Sequence, residues 1–257
     1  MNPTDKHQII SDRLFREGIA HSPLDLHSLE IVERYMNYSE TGSDLSRRLS
    51  NIEINYAQIN QSAEDAQTAA NNAKNAVSYY FRMLTDTWNE RGILREFSFS
   101  YSDEDCEFIR STYTAYIEAI RNQTRIISDS LITLGETAAQ IRACSASSME
   151  VYQETRLAIY AAMLNRDRES VLDCRATSLL AHASAVECER ISSHYLGFAR
   201  KCTKMISVIN NTVVDVAETL RIDDERSFKI NIISPVRAAN LIFDAISAID
   251  TINLDNH

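Results

Sequence analysis

Glycine and proline are scarce in this chain, with five and three copies in 257 residues. Ordinary usage is about 7% and 5%. Few breakers mean few turns, and a sheet protein of this length needs many. No Gly-rich phosphate loop and no nucleophile elbow is present. The shortage predicts long helices instead.

Lysine is equally sparse. Lys6, Lys74, Lys201, Lys204 and Lys229 are all of it, and the formal net charge is −10. The densest basic run is Arg200-Lys201 with Lys204. Tracking a phosphate backbone takes several phosphate neutralisations, so nucleic acid is not an expected partner. Attachment to an anionic membrane through a polybasic face is disfavoured for the same reason.

Five cysteines occur, at 106, 144, 174, 188 and 202, with no CxxC pair. An odd count without paired spacing argues against a disulfide framework and against a zinc site. No apolar run approaches the roughly 18 residues of a membrane span. The first thirty residues carry Asp5, Asp12, Arg13, Arg16 and Glu17 and lack the apolar core of a signal peptide. The expectation is a cytoplasmic protein, with export lacking a cleaved signal left open.

What the chain does have is helical periodicity. Pro3-Thr4-Asp5 opens a short helix that should end near Gly18. Ser22-Pro23-Leu24-Asp25 reads as a second start, with Ser22 as N-cap and Pro23 in the first turn. That helix should run to about Glu40 and stop at Gly42.

A third helix is predicted from Ser43 or Asp44 to Arg91. Its apolar positions are Leu45, Leu49, Ile52, Tyr56, Ile59, Ala63, Ala66, Ala70, Ala73, Val77, Tyr80 and Leu84. The steps alternate four and three, as in a coiled coil. Such a helix is roughly 70 Å long. Ser102 with Asp103, Glu104 and Asp105 gives a capping pattern for the fourth helix. Its stripe runs from Cys106 to Ala162 with one stutter before Thr124, and Gly135 leaves open a break into two helices.

The fifth helix is predicted over about 168–220. Its main stripe joins Cys174, Ser178, Ala181, Ala185, Cys188 and Ser192 and continues in register to Leu220. A second stripe lies beside it: Leu172, Ala176, Leu179, Ala183 and Val186. Two stripes predict a wide buried face with two neighbours. Cys174, Cys188 and Cys202 repeat every two heptads, so neighbours are about 21 Å apart. That spacing forbids a disulfide or a shared metal and suits small buried hydrophobes.

Asp223-Asp224-Glu225 and the residues to Ile233 read as a linker. Ser234-Pro235 then opens a final helix to about Ile252. Its polar residues form one narrow stripe, so it should be buried on most sides.

Candidate chemistry is thin. A di-iron bundle needs Glu-x-x-His pairs, and no histidine here has Glu three residues before it. His27 with Glu30, and Glu187 with His194, each supply two ligands where zinc wants three or four. Asp223-Asp224-x-Arg226 has no second acidic motif to share a diphosphate. No catalytic, cofactor or metal residue is assigned, and no enzyme activity is expected.

These features define an all-α protein: an elongated antiparallel bundle of three long coiled-coil-like helices, short N-terminal helices and an apolar C-terminal helix. It is read as one domain over 1–257. Residues 1–42 hold the short helices, 43–222 the long-helix core and 234–252 the docking helix. The leading functional expectation is a helical interaction or scaffold protein that self-associates or binds a helical partner. Two clusters are candidates for partner binding. One is aromatic, comprising Trp88, Phe97, Phe99 and Tyr101. The other lies on the last helix, comprising Leu241, Phe243, Ile246 and Ile249. The alternatives are the soluble form of an α-helical toxin or translocator component, and a small-molecule binder with a pocket in the Ala/Ser-lined sections.

Overall fold

The computed structural model describes residues 3–37, 41–95, 101–221, 233–252 and 254. They form six α-helices: α1 (Pro3–Arg16), α2 (Leu26–Met36), α3 (Thr41–Glu90), α4 (Asp103–Leu164), α5 (Arg168–Leu220) and α6 (Ile233–Thr251). The protein is an all-α, multi-helix bundle in which α4 packs on both α5 and α3.

Local chemistry explains most boundaries. Gly18 and Gly92 adopt positive φ just past α1 and α3, a conformation that glycine reaches without a Cβ penalty. Ser102 and Asp105 form the capping box of α4. The Asp105 amide donates to Ser102 Oγ at 3.1 Å, and the Ser102 amide donates to Asp105 at 3.4 Å. Asp167 caps α5 by accepting from the Ser170 amide at 3.1 Å.

The second helix departs from expectation at both ends. Its N-cap is Asp25, not Ser22, because the extended Asp25 accepts from the Ser28 amide at 2.7 Å and leaves Pro23 outside the helix. It ends at Met36, where Asn37 turns its own amide back to Arg34 and its side chain to the Glu33 carbonyl. Gly42 therefore ends nothing; it lies inside the first turn of α3. The fourth helix is continuous through Gly135. The 223–226 motif lies outside the described residues.

Packing divides the chain into two compact units, and α3, α4 and α5 contribute to both. The first unit comprises Met1–Gln61 and Thr137–Ser193. Its core gathers Leu14 of α1, Val32 of α2, Leu45 and Leu49 of α3, Val151, Ala158 and Leu164 of α4, and Cys174 and Ala181 of α5. α1 and α2 cap this unit, and the Arg13 guanidinium donates to the Leu164 carbonyl at 2.7 Å.

The second unit comprises Ser62–Glu136 and His194–His257. The alanine seam of α3 is buried here, as expected at Ala63, Ala66, Ala70 and Ala73. Beyond Val77 the buried position is Phe81 rather than Tyr80. Two successive steps of four, Ala73 to Val77 to Phe81, make a stutter that the strict heptad reading missed.

α6 packs one face in this unit, burying Ala238, Ala239, Ile242, Ala245, Ile246 and Ile249. It is tied to α3 by polar contacts. Lys74 Nζ donates to the Ile252 carbonyl at 2.6 Å, and Ser78 and Arg82 both donate to Asp250. Val236, Leu241 and Ala248 are half-buried, and Phe243 faces out.

Candidate interaction surface

The α5 segment from Arg168 to Arg190 belongs to the first unit. Its inner positions, Cys174, Ala181 and Cys188, recur every seven residues and are buried. Burial pushes the Cys174 and Cys188 thiols up to about 11. One edge faces α4: the His182 ring lies 5.1 Å from the Tyr152 ring, and Arg142 pairs with Glu189 at 3.2 Å. The other edge meets the start of α3, where Asp173 sits against Gly42.

Sequence periodicity then fixes what points away. Residues two before and two after an inner position project from the opposite side of the helix. These are Leu172, Ala176, Leu179, Ala183 and Val186, the second stripe. The expectation that this stripe is buried between two neighbours is overturned. Leu172 is 65% exposed, Leu179 74% and Val186 54%, and Ala176 and Ala183 are exposed as well. Leu180 beside them is also exposed. The inner stripe and the two edges meet α4 and α3, and the outer stripe lies on the remaining side.

The patch continues past its N-terminal end. A cleft of about 590 Å³ is lined by Ile19, Ala162, Met163, Val171 and Leu172, with Glu17, Arg166, Asp167 and Arg168. Leu172 thus belongs to both stripe and cleft. Isolated exposed apolar residues are normal, but a contiguous row at heptad spacing is not.

Charged residues lie on both edges of the stripe. Arg168, Asp173 and Arg175 flank its first half, and Glu187, Glu189 and Arg190 its second. Arg190 hydrogen-bonds Glu187 at 2.6 and 2.8 Å and holds that carboxyl below its usual range.

The aromatic cluster lies elsewhere. Trp88 is buried in the second unit, and its indole N–H donates to Thr112 Oγ1 at 2.9 Å. Tyr101 donates to the Ile93 carbonyl, while Phe97 and Phe99 lie outside the described residues. On α6, Ile246 and Ile249 are buried, Leu241 is half-buried, and Phe243 is exposed. The α5 stripe was legible as a heptad. Its exposure was not, because a stripe looks the same whether its partner belongs to the same chain or another.

A second cleft, of about 620 Å³, runs between α2 and α4 and is lined by His27, Glu150, Glu154, Arg156 and Tyr160 among others. Its central carboxylate, Glu154, is already engaged by Tyr35 and Arg48. Among the described residues, no three His, Cys, Asp or Glu side chains are grouped to hold a metal ion. Among the same residues, no helix is long and apolar enough to cross a membrane. Compared with protein-family models, curated proteins and solved structures, the chain finds no match.

Proposed function

We propose that this protein is a non-enzymatic helical interaction protein that offers the outer stripe of α5 to a helix of another polypeptide. The observation that carries the reading is the run Leu172, Ala176, Leu179, Ala183, Val186, a 4-3-4-3 seam exposed opposite the buried side of its own helix. A heptad seam is the pattern by which one helix receives another. Its energy scale is suitable. Burying a Leu or Val side chain fully is worth about 1.5–3 kcal/mol, so the exposed parts of Leu172, Leu179, Val186 and the neighbouring Leu180 supply roughly 4–8 kcal/mol. Association costs about 4–15 kcal/mol. The stripe alone is marginal, and the adjoining cleft at Leu172 provides the additional area.

The test compares the parent chain with a Leu172→Glu, Leu179→Glu, Val186→Glu variant in extracts of the cells that make it. The parent should migrate as a complex larger than one chain. The triple variant should migrate as a monomer with unchanged helical circular dichroism. If parent and variant migrate identically, α5 is not the contact surface and the reading is lost.

A further inference from the structure

Resting on that reading, we infer that the helix received by the α5 stripe is the same stripe of a second copy, running antiparallel, with the two-fold axis level with Ala181. Three features of the segment point to this occupant and this register.

The first is size. Along the seam, large and small residues alternate: Leu172, Ala176, Leu179, Ala183, Val186. In a parallel pair each residue meets its own copy, giving Leu–Leu layers beside Ala–Ala layers and an uneven gap. In an antiparallel pair the two seam positions exchange, so each layer takes one large and one small residue. Leu179 then meets Ala183 of the second copy, and Ala176 meets Val186. The spacing becomes uniform and close, which packing favours. The end layer sets Leu172 against the aliphatic stem of Arg190, whose guanidinium stays paired with Glu187 of its own chain.

The second is charge. In this register the edge residues Arg175, His182 and Glu189 face the same edge of the second copy in reverse order. Arg175 opposes Glu189, twice by symmetry, and His182 opposes itself. Glu189 pairs with the exposed Arg142 and is itself about half exposed, so its carboxylate remains accessible. On the other edge Asp173 opposes Glu187, whose charge is already answered by Arg190 in the same chain. The Arg175–Glu189 pairing, between residues fourteen apart on one edge, is available only when the copies run in opposite directions.

The third is Leu180. It is the one exposed apolar residue on the edge beside the seam, at 59%. The register places it on the two-fold axis, against Leu180 of the second copy. An exposed leucine flanked by charged residues is explained by this meeting.

The experiment uses the purified full-length chain. Sedimentation equilibrium should give a reversible dimer. Leu179→Glu should weaken it by at least about thirtyfold, the scale of a buried leucine lost to a charge, with helical content and melting unchanged because Leu179 is exposed in the single chain. Arg175→Glu and Glu189→Arg should each weaken the dimer about tenfold, and the double reversal should recover most of the loss.

Direction is read with a short bismaleimide, since the five native thiols are buried. His182→Cys should cross-link to itself. Arg175→Cys should not, but should cross-link to Glu189→Cys in a mixed sample. A dimer insensitive to Leu179→Glu, or one in which Arg175→Cys joins itself and His182→Cys does not, overturns the proposal. So does a parent chain that stays monomeric at every concentration. If that monomer still forms a stripe-dependent complex in extracts, the occupant is a different polypeptide and only the dimer is lost.

Discussion

Tyr35 of α2 donates its phenolic hydrogen to the Glu154 carboxylate of α4 across 2.6 Å. Arg48 of α3 reaches the same oxygen at 2.8 Å. One carboxylate thereby ties three helices of the first unit at a half-buried point. Burial opposes ionisation of Glu154, but the Arg48 and Tyr35 hydrogen bonds outweigh it and hold the pKa below the ordinary 4.5. Burial, and then the neighbouring carboxylate, raise the Tyr35 pKa.

A charge-assisted hydrogen bond of this kind is worth about 1.5–3 kcal/mol. Tyr35→Phe should therefore lower the unfolding free energy by about 2 kcal/mol at neutral pH, and Glu154→Gln by a similar amount. The sign with pH follows from the depressed carboxyl. Its contribution is fully present above 4.5, the unfolded value, and is lost as the pH falls through the lower folded-state value. Urea titrations of parent and Glu154→Gln should thus converge in acid. A difference that stays constant down to pH 3 would show that Glu154 acts through packing rather than charge.

The five cysteines are all buried and unpaired. Burial raises the thiols of Cys174, Cys188 and Cys202 to about 11, so thiolate is scarce at neutral pH as well as shielded. A chromogenic disulfide reagent at pH 8 should titrate well under one thiol per folded chain and all five in denaturant. Fast stoichiometric labelling of the native protein would contradict the packing of the inner α5 stripe.

α6 offers a contrast within one helical turn. Ile242 and Ile249 are fully buried, whereas neighbouring Phe243 is about half exposed. Ile242→Ala should destabilise the protein by about 2–5 kcal/mol, through lost burial and the cavity left behind. Phe243→Ser should change stability by no more than about 0.5 kcal/mol. Denaturant unfolding of both variants checks this. Equal effects would mean that α6 is surrounded on more sides than its buried face indicates.

These contrasts show which features were legible in sequence and which were not. Long helices followed from the shortage of glycine and proline, and the inner stripe of α5 followed from its unbroken 4-3 spacing. Periodicity determines which residues share a face, because it is a local property. It does not determine how many faces find a neighbour, which depends on how the helices are arranged. So Leu179 was expected inside and lies outside, whereas on α6 only Phe243 among the described apolar residues is exposed and the others are buried or half-buried. Trp88 illustrates the same limit: it was a candidate for partner binding, but the stutter at Phe81 places it on the inner side of α3. The Tyr35–Glu154–Arg48 tie joins residues more than a hundred positions apart, and no local pattern announces it.

Two glycines test the helix geometry with opposite signs. Gly135 lies inside the continuous α4 with ordinary helical backbone, and a Cβ there would meet nothing within 4 Å. Gly135→Ala removes backbone freedom from the unfolded chain at no steric cost, so it should stabilise by about 1 kcal/mol and raise the melting temperature by about 2–4 °C. Gly42 is also helical, but a Cβ there would fall 2.9 Å from Asp173 Cβ. That atom is anchored to the α5 backbone and cannot rotate away. Forcing α3 and α5 apart costs about 1–3 kcal/mol, which outweighs the gain in helix propensity. Gly42→Ala should therefore melt below the parent while Gly135→Ala melts above it. If Gly42→Ala melts above the parent, the close approach of the two helix starts is wrong. If Gly135→Ala melts below the parent, α4 bends there and its continuity fails.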